Sequence, residues 1–195
     1  MDFSRVSNYS AYFYGKIYSG GVNFMKRIIV IGCGGAGKST LSRKLSDKLN
    51  IPVYHLDKIF WNRGWIQTPQ EEFDIKLENL VNKDKWIIDG NYIRTLDMRA
   101  ERADTIIFIN MSTYLCLYRA IKRRIMYKGK SRPDMAEVCP EVIDFEFFKW
   151  ILTYNKKVKP EILEKLKKYN DKTVIILKGK KEVKDFINKS VWNVF

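Results

Sequence analysis

Residues Gly32-Cys33-Gly34-Gly35-Ala36-Gly37-Lys38-Ser39 match G-x-x-x-x-G-K-[ST], the pattern of a phosphate-binding loop. Each fixed position in that pattern has a physical task. Gly32 and Gly37 admit backbone conformations closed to residues with a Cβ. The N–H groups of Gly34, Gly35, Ala36 and Gly37, and of Lys38, Ser39 and Thr40 at the start of the next helix, then converge on phosphate oxygens. The positive end of the helix dipole stands behind them. Lys38 reaches toward the β- and γ-phosphates of ATP, and the Ser39 hydroxyl toward Mg²⁺. The flanks agree with this reading. Arg27-Ile28-Ile29-Val30-Ile31 has the continuous apolar run of a buried parallel strand, and Leu41, Leu45 and Leu49 recur at helical spacing.

The same residues also fit Gly32-x-Gly34-x-x-Gly37, a dinucleotide fingerprint, with Asp57 twenty residues beyond Gly37 where such folds keep a ribose-binding acid. Two observations weigh against that alternative. A dinucleotide motif has no use for Lys38-Ser39 directly after its last glycine. A full dinucleotide fold also needs a second mononucleotide half, for which little chain remains.

A chain of 195 residues is most simply one domain with a sizeable core. Lys plus Arg number 36 against 22 Asp plus Glu, a net charge of +14, which invites polyanionic partners such as nucleotides or nucleic acid. Cys33, Cys116 and Cys139 form neither a C-x-x-C pair nor a disulfide framework, which points to a reducing, cytoplasmic setting. Cys33 fills a variable position of the loop. No apolar run reaches the roughly 18 residues of a membrane span. Residues 1–24 are rich in Tyr, Ser, Gly and Asn, nearly uncharged and without periodicity. They are expected to be a disordered extension rather than a signal peptide, with Met25 a natural start.

Past the loop, Pro52–Leu56 reads as a short strand ending at Asp57, and the aromatic-rich Ile59–Ile66 as a loop over a pocket. Thr68-Pro69-Gln70-Glu71 predicts a helix capped by Thr68, carrying Phe73, Leu77, Leu80 and Val81 on one stripe. Trp86–Asp89 and Thr105–Ile109 read as further strands, and Ser112 caps a helix to about Met126. Tyr127–Pro140 is a loop, Asp144–Lys157 and Pro160–Tyr169 are helical, Thr173–Leu177 is a fifth strand and Lys181–Lys189 a last helix. Strands alternating with helices predict an α/β fold of three layers, a five-stranded parallel sheet between helices.

In such sheets ligands bind beyond the carboxyl ends of the strands. The loop, Asp57, Asp89-Gly90 and Asn110 collect there. Asp89 follows an apolar strand, as an acid that holds Mg²⁺ does, so Ser39 and Asp89 are the candidate metal ligands. Asp57 is a candidate to contact an acceptor hydroxyl or its Mg²⁺ shell. His55, the only histidine, is expected in the core or pocket wall. Arg94, Arg99 and Arg102 follow Asp89, and a basic run holds Arg119, Lys122, Arg123, Arg124 and Arg132. Guanidinium groups on a closing lid stabilise the charge that spreads over a moving phosphoryl group, a role that falls to Arg119, Arg123 and Arg132. A solvated basic helix and a DNA-binding patch are the alternatives. The second lacks aromatic interleaving and any clear helix-turn-helix pattern.

From Met25 to about Ile187 the chain resembles the bacterial DNA topology modulation protein family (FlaR-like), which belongs with adenylate-kinase-related P-loop proteins. The stretches that carry this are Ile31–Thr40, Ile51-Pro-Val-Tyr-His-Leu-Asp-Lys-Ile-Phe-Trp61, Trp86-Ile-Ile-Asp-Gly-Asn-Tyr-Ile-Arg-Thr95 and Arg132-Pro-Asp-Met135. The resemblance implies a P-loop kinase-like domain over 25–195, with a short lid at about 119–140, that binds ATP and Mg²⁺. It implies that Gly90 and Arg94 lie at the acceptor, in the segment where nucleoside monophosphate kinases hold an acceptor phosphate. The family name implies an influence on DNA supercoiling. The expected activity is transfer of the γ-phosphoryl of ATP to a small acceptor such as a nucleotide or nucleoside. The alternative is a nucleotide-gated DNA-binding regulator.

Overall fold

The computed structural model describes residues 12–14, 25–132, 134–136, 138–140 and 144–189. The elements in chain order are β1 (Tyr12–Tyr14), β2 (Arg27–Gly32), α1 (Lys38–Leu49), β3 (Val53–His55), α2 (Leu56–Phe60), β4 (Trp61–Asn62) and β5 (Ile66–Gln67). There follow α3 (Gln70–Val81), β6 (Trp86–Asp89), α4 (Leu96–Arg102), β7 (Thr105–Asn110), α5 (Thr113–Met126), α6 (Phe145–Lys157), α7 (Lys159–Lys167), β8 (Thr173–Lys178) and α8 (Gly179–Lys189).

The main sheet has the order β1-β8-β7-β2-β6-β3. Its five strands from β8 to β3 run parallel, as the alternation of strands and helices predicts, with Ile28 opposite both Ile87 and Thr105. β1 adds a sixth strand, antiparallel to β8, with Phe13 opposite Ile175. Three residues of the expected extension are therefore paired, and its remaining residues lie outside those described.

Every residue of β6 is buried, as are Ile28 to Gly32 of β2 and Thr105 to Ile109 of β7. Strands buried on both faces require helices on both faces. α1 packs on β2, β3 and β6 and against α8, which also lies on β7 and β8. α4 lies on β2 with α3 beside it, and α6 joins α5 to α7. α1 buries Leu41 and Leu45 and ends at Asn50 in the left-handed conformation. α3 buries Phe73, Leu77, Leu80 and Val81, the stripe that its spacing predicts.

Two local expectations are corrected. Thr68 does not cap α3, which begins beyond Pro69. The Thr68 hydroxyl donates instead to the Ile59 carbonyl at 2.8 Å and accepts from Asn62 at 3.2 Å. The Ile59–Ile66 segment is no open loop. The chain turns directly from β3 into α2 at Leu56 and then folds back as the β4–β5 hairpin, pairing Trp61 with Gln67.

Trp86 is fully buried at the start of β6, and its indole N–H donates to the Val81 carbonyl at 3.3 Å. Trp86→Ala is expected to cost about 3–5 kcal/mol, the usual range for truncating a buried aromatic. The urea midpoint measures it, and a loss below about 1 kcal/mol would show that the base of this strand is not part of the core.

Candidate functional site

β2 ends in the loop because its last residue leaves the strand conformation. Gly32 and Gly37 take φ of 149° and 102°, and the Ala36 N–H closes the turn on the Cys33 carbonyl at 3.1 Å. The surroundings permit only bare backbone here. A Cβ on Gly35 would stand 2.3 Å from the Cys116 carbonyl of α5, and one on Gly34 would meet the ring of Phe147 on α6. Lys38 Nζ donates to the Gly32 and Cys33 carbonyls at 3.0 and 3.2 Å, which holds the ammonium across the loop. Arg119, from the second turn of α5, donates to the Gly35 and Ala36 carbonyls at 3.4 and 3.2 Å. α5 begins as its sequence predicts, with the Ser112 hydroxyl accepting from the Leu115 N–H. The Cys33 thiol is pushed up in pKa by its hydrogen bond with Cys116 and by burial, so it packs rather than reacts.

The neighbouring strand ends bring the acids. β3 and β6 pair so that His55 lies opposite Asp89, and the imidazole Nδ1 sits 2.7 Å from the Asp89 carboxylate. Asp57 stands in the first turn of α2 and accepts from the Tyr92 hydroxyl at 2.9 Å. Burial raises the Asp57 carboxyl above the usual carboxylate range, against the opposing pull of Lys38 and the Tyr92 hydrogen bond. The segment between β6 and α4 is held from inside. Arg99 is fully buried, and its guanidinium donates to the Thr95, Gly90 and Tyr92 carbonyls at 3.2, 3.0 and 2.6 Å.

The arginines therefore divide by location, contrary to their grouping by sequence. Arg99 is in the core. Arg102 is exposed. Arg94 forks onto Asp74 of α3, with N–O distances of 2.8 and 2.6 Å, and does not line the cleft. Arg119, Arg123 and Arg132 all line it, together with Arg124. Arg123 and Arg124 lie over the Phe147 ring at 5.9 and 5.6 Å. Arg132 pairs with Asp134 at 3.2 Å. Burial raises the Asp134 carboxyl, but the Arg132 charge and a hydrogen bond with the Ser39 hydroxyl outweigh it and hold the group below the usual range.

These residues enclose one cleft of about 1200 Å³, lined by the loop from Gly34 to Thr40 and by Asp57, Asp89 and Gly90. That is room for a nucleotide and a second small molecule. Gly32 and Asn110 stand behind this lining, as does His55. Sequence reasoning missed the aromatic wall of α6, where Phe147 stacks on Trp150 at 5.9 Å and Trp150 meets Tyr154 at 5.2 Å. Its signal was the helical spacing of those three rings. It also missed Asp134 and the hairpin tryptophans Trp61 and Trp65, which line the cleft with Tyr92. Hydroxyl and carboxylate oxygens are the donors that Mg²⁺ prefers. Among the described residues no three His, Cys, Asp or Glu side chains form a self-sufficient metal cage.

No family model matches the chain. A shikimate kinase of Leptospira biflexa serovar Patoc is 32% identical over 137 residues, covering 58% of this chain and 74% of that protein. Among solved structures, shikimate kinase from Acinetobacter baumannii in complex with shikimate is similar at 16% identity and a TM-score of 0.53, covering 86% of this chain and 91% of that one. A gluconokinase from Sinorhizobium meliloti 1021 is similar at 12% identity and a TM-score of 0.51, covering 87% and 91%. The two structures share the fold: a parallel sheet, a phosphate loop after its central strand, and helices on either side. The sequence relative adds descent, and the chain belongs to the shikimate kinase family of P-loop kinases.

Proposed function

We propose that this protein is an ATP-dependent phosphotransferase that moves the γ-phosphoryl group of ATP to a hydroxyl of a small acceptor. The observation that carries the reading is the meeting of the Gly34–Thr40 loop and the Asp57 carboxylate in one cleft, which arginines of α5 and the lid also line. In this reading Lys38 and the loop amides hold the β- and γ-phosphates. Ser39, with Asp89 behind it, holds Mg²⁺, which neutralises charge on the phosphates. Asp57 accepts the hydroxyl proton as the acceptor oxygen attacks, a task suited to a carboxyl whose pKa is raised toward working pH. Arg119 fixes the loop, and Arg123 and Arg132 face the charge that develops on the transferred group.

The acceptor end favours an uncharged ring over a phosphate. Arg94, the expected acceptor-phosphate ligand, is committed to Asp74. What lines that end is Asp57, Trp61, Trp65 and Tyr92, a carboxylate among aromatic walls. A nucleoside or another hydroxylated ring fits this better than a nucleotide. Shikimate and gluconate, carboxylates named by the relatives, belong in the same assay panel as contrasts. The narrower resemblance to DNA topology modulation proteins, and with it the DNA-binding alternative, gains no support from these relatives. Among the described residues no helix is long and apolar enough to cross a membrane. The three buried free cysteines accord with the reducing cytoplasm we assign.

Two measurements follow. Lys38→Ala is expected to weaken ATP binding by about a hundredfold, the loss of one charge-assisted phosphate contact at about 3 kcal/mol, while the protein stays folded. Calorimetric ATP affinity equal to that of the parent protein would refute the central claim. In the pH profile of kcat/KM, the acid limb belongs to Asp57, which must be ionised to accept the proton, so activity rises with pH through its raised pKa. Tyr92→Phe removes a donor that stabilises the carboxylate, so the limb is expected to move to higher pH. A limb that stays in place or moves down would dismiss Asp57 as the proton acceptor.

A further inference from the structure

The lid comes down onto the metal side of the cleft through one side chain. A turn closed by the Met135 N–H on the Arg132 carbonyl at 3.1 Å places Asp134 inward. Its side chain is 14% exposed and that of Arg132 8%. One carboxylate oxygen accepts from Arg132 Nη1. Asp134 lines the same cleft as Ser39, in the first turn of α1, whose hydroxyl helps to hold the carboxyl below its usual range. Asp89, the acid placed at the metal by its strand, already has one oxygen committed to His55 at 2.7 Å. Asp134 is thus the carboxylate that meets the hydroxyl expected to bind the ion.

The lid is also strapped in this position. The Gly64 N–H donates to the Val138 carbonyl and Trp65 Nε1 to the Pro140 carbonyl, both at 3.0 Å, and Cys139 Sγ lies 3.2 Å from the Asn62 carbonyl. These contacts anchor the lid without help from Asp134. A carboxylate buried beside an arginine, in the same cleft as the hydroxyl expected to bind the ion, is suited to hold a hard cation or the water bound to it.

We propose that Asp134 is a second carboxylate of the Mg²⁺ site, contributed by the lid and contacting the ion or its water shell beside Ser39. This rests on the phosphotransferase reading, because nucleotide oxygens complete the site. It ties metal binding to lid position, so that the ion is held in full only when Asp134 is down.

Mn²⁺ serves as the probe. Free Mn²⁺ is measured by electron paramagnetic resonance in titrations of the whole chain with ADP, and ADP affinity is measured separately in EDTA. Asp134→Asn keeps the shape and a hydrogen-bond acceptor for Ser39 but loses the charge. It is expected to weaken Mn²⁺ in the ternary complex by about tenfold or more, as loss of an outer carboxylate does, and to leave ADP affinity in EDTA within about twofold. Unchanged Mn²⁺ affinity would overturn the proposal, and so would an equal loss of ADP affinity with and without metal, which marks a strut. If Asp134→Asn does not fold, Asp134→Glu decides by the same titration, since it retains the charge: Mn²⁺ affinity near that of the parent supports the role, and a tenfold loss opposes it. A parent chain that binds no ADP in EDTA would defeat the phosphotransferase reading and this role together.

Discussion

A turn of bare amides binds a polyanion only if those amides stay pointed outward, and every neighbour of the Gly32–Ser39 loop here serves that end. Left alone, such a turn closes on its own carbonyls. In this protein the carbonyls are already taken: those of Gly32 and Cys33 by Lys38, and those of Gly35 and Ala36 by Arg119. With its acceptors satisfied by cations, the loop presents its donors. Phe147 and Cys116 press on it so closely that no side chain beyond hydrogen fits at Gly34 or Gly35. The sheet supplies the fixed point, because β2 is buried between β6 and β7 and cannot shift without breaking two parallel ladders.

The charge distribution follows from the same economy. A net charge of +14 reads as an invitation to polyanions, yet several of these cations serve the protein's own oxygens. Arg99 replaces a missing network of N–H donors inside the turn after β6. Arg94 neutralises Asp74, Lys165 pairs with Asp97, and Lys48 donates to the Ile187 carbonyl at the end of α8. What remains toward the cleft comes from four places: Lys38, Arg43 and Lys44 of the loop and α1, the basic face of α5, Arg132 of the lid, and Lys180 and Lys184 of α8.

The elements legible in the sequence are those whose signal is local. Apolar runs mark β2, β6 and β7, the leucines of α1 and the stripe of α3 mark their buried faces, and the phosphate loop carries its own pattern. The places of Asp57 and Asp89 in the cleft were legible because a strand end is a defined position in a parallel sheet. The rest depends on contacts between distant residues. Nothing near Arg94 announces that Asp74 will claim it, and nothing near Arg99 announces three carbonyls in the core, since a guanidinium looks the same in sequence whether it meets solvent, backbone or ligand. Thr68 has the composition of a helix cap, but the hairpin brings the Ile59 carbonyl within its reach and that bond prevails. The Asp134–Ser39 contact joins residues that only lid and loop geometry can bring together.

The hydrogen bonds between hairpin and lid have a kinetic consequence. Trp65 belongs to the wall of the cleft, and the Gly64 N–H and the Trp65 indole tie the hairpin to Val138 and Pro140 of the lid, so in the proposed reading one motion would uncover acceptor and phosphates together. Under the phosphotransferase reading the protein would then neither admit water to the phosphates while keeping its acceptor nor release the acceptor while keeping the phosphates sealed, and sequence changes in the short stretch of surface between Asn62–Trp65 and Val138–Pro140, far from the transferred atoms, would set the pace of the cycle.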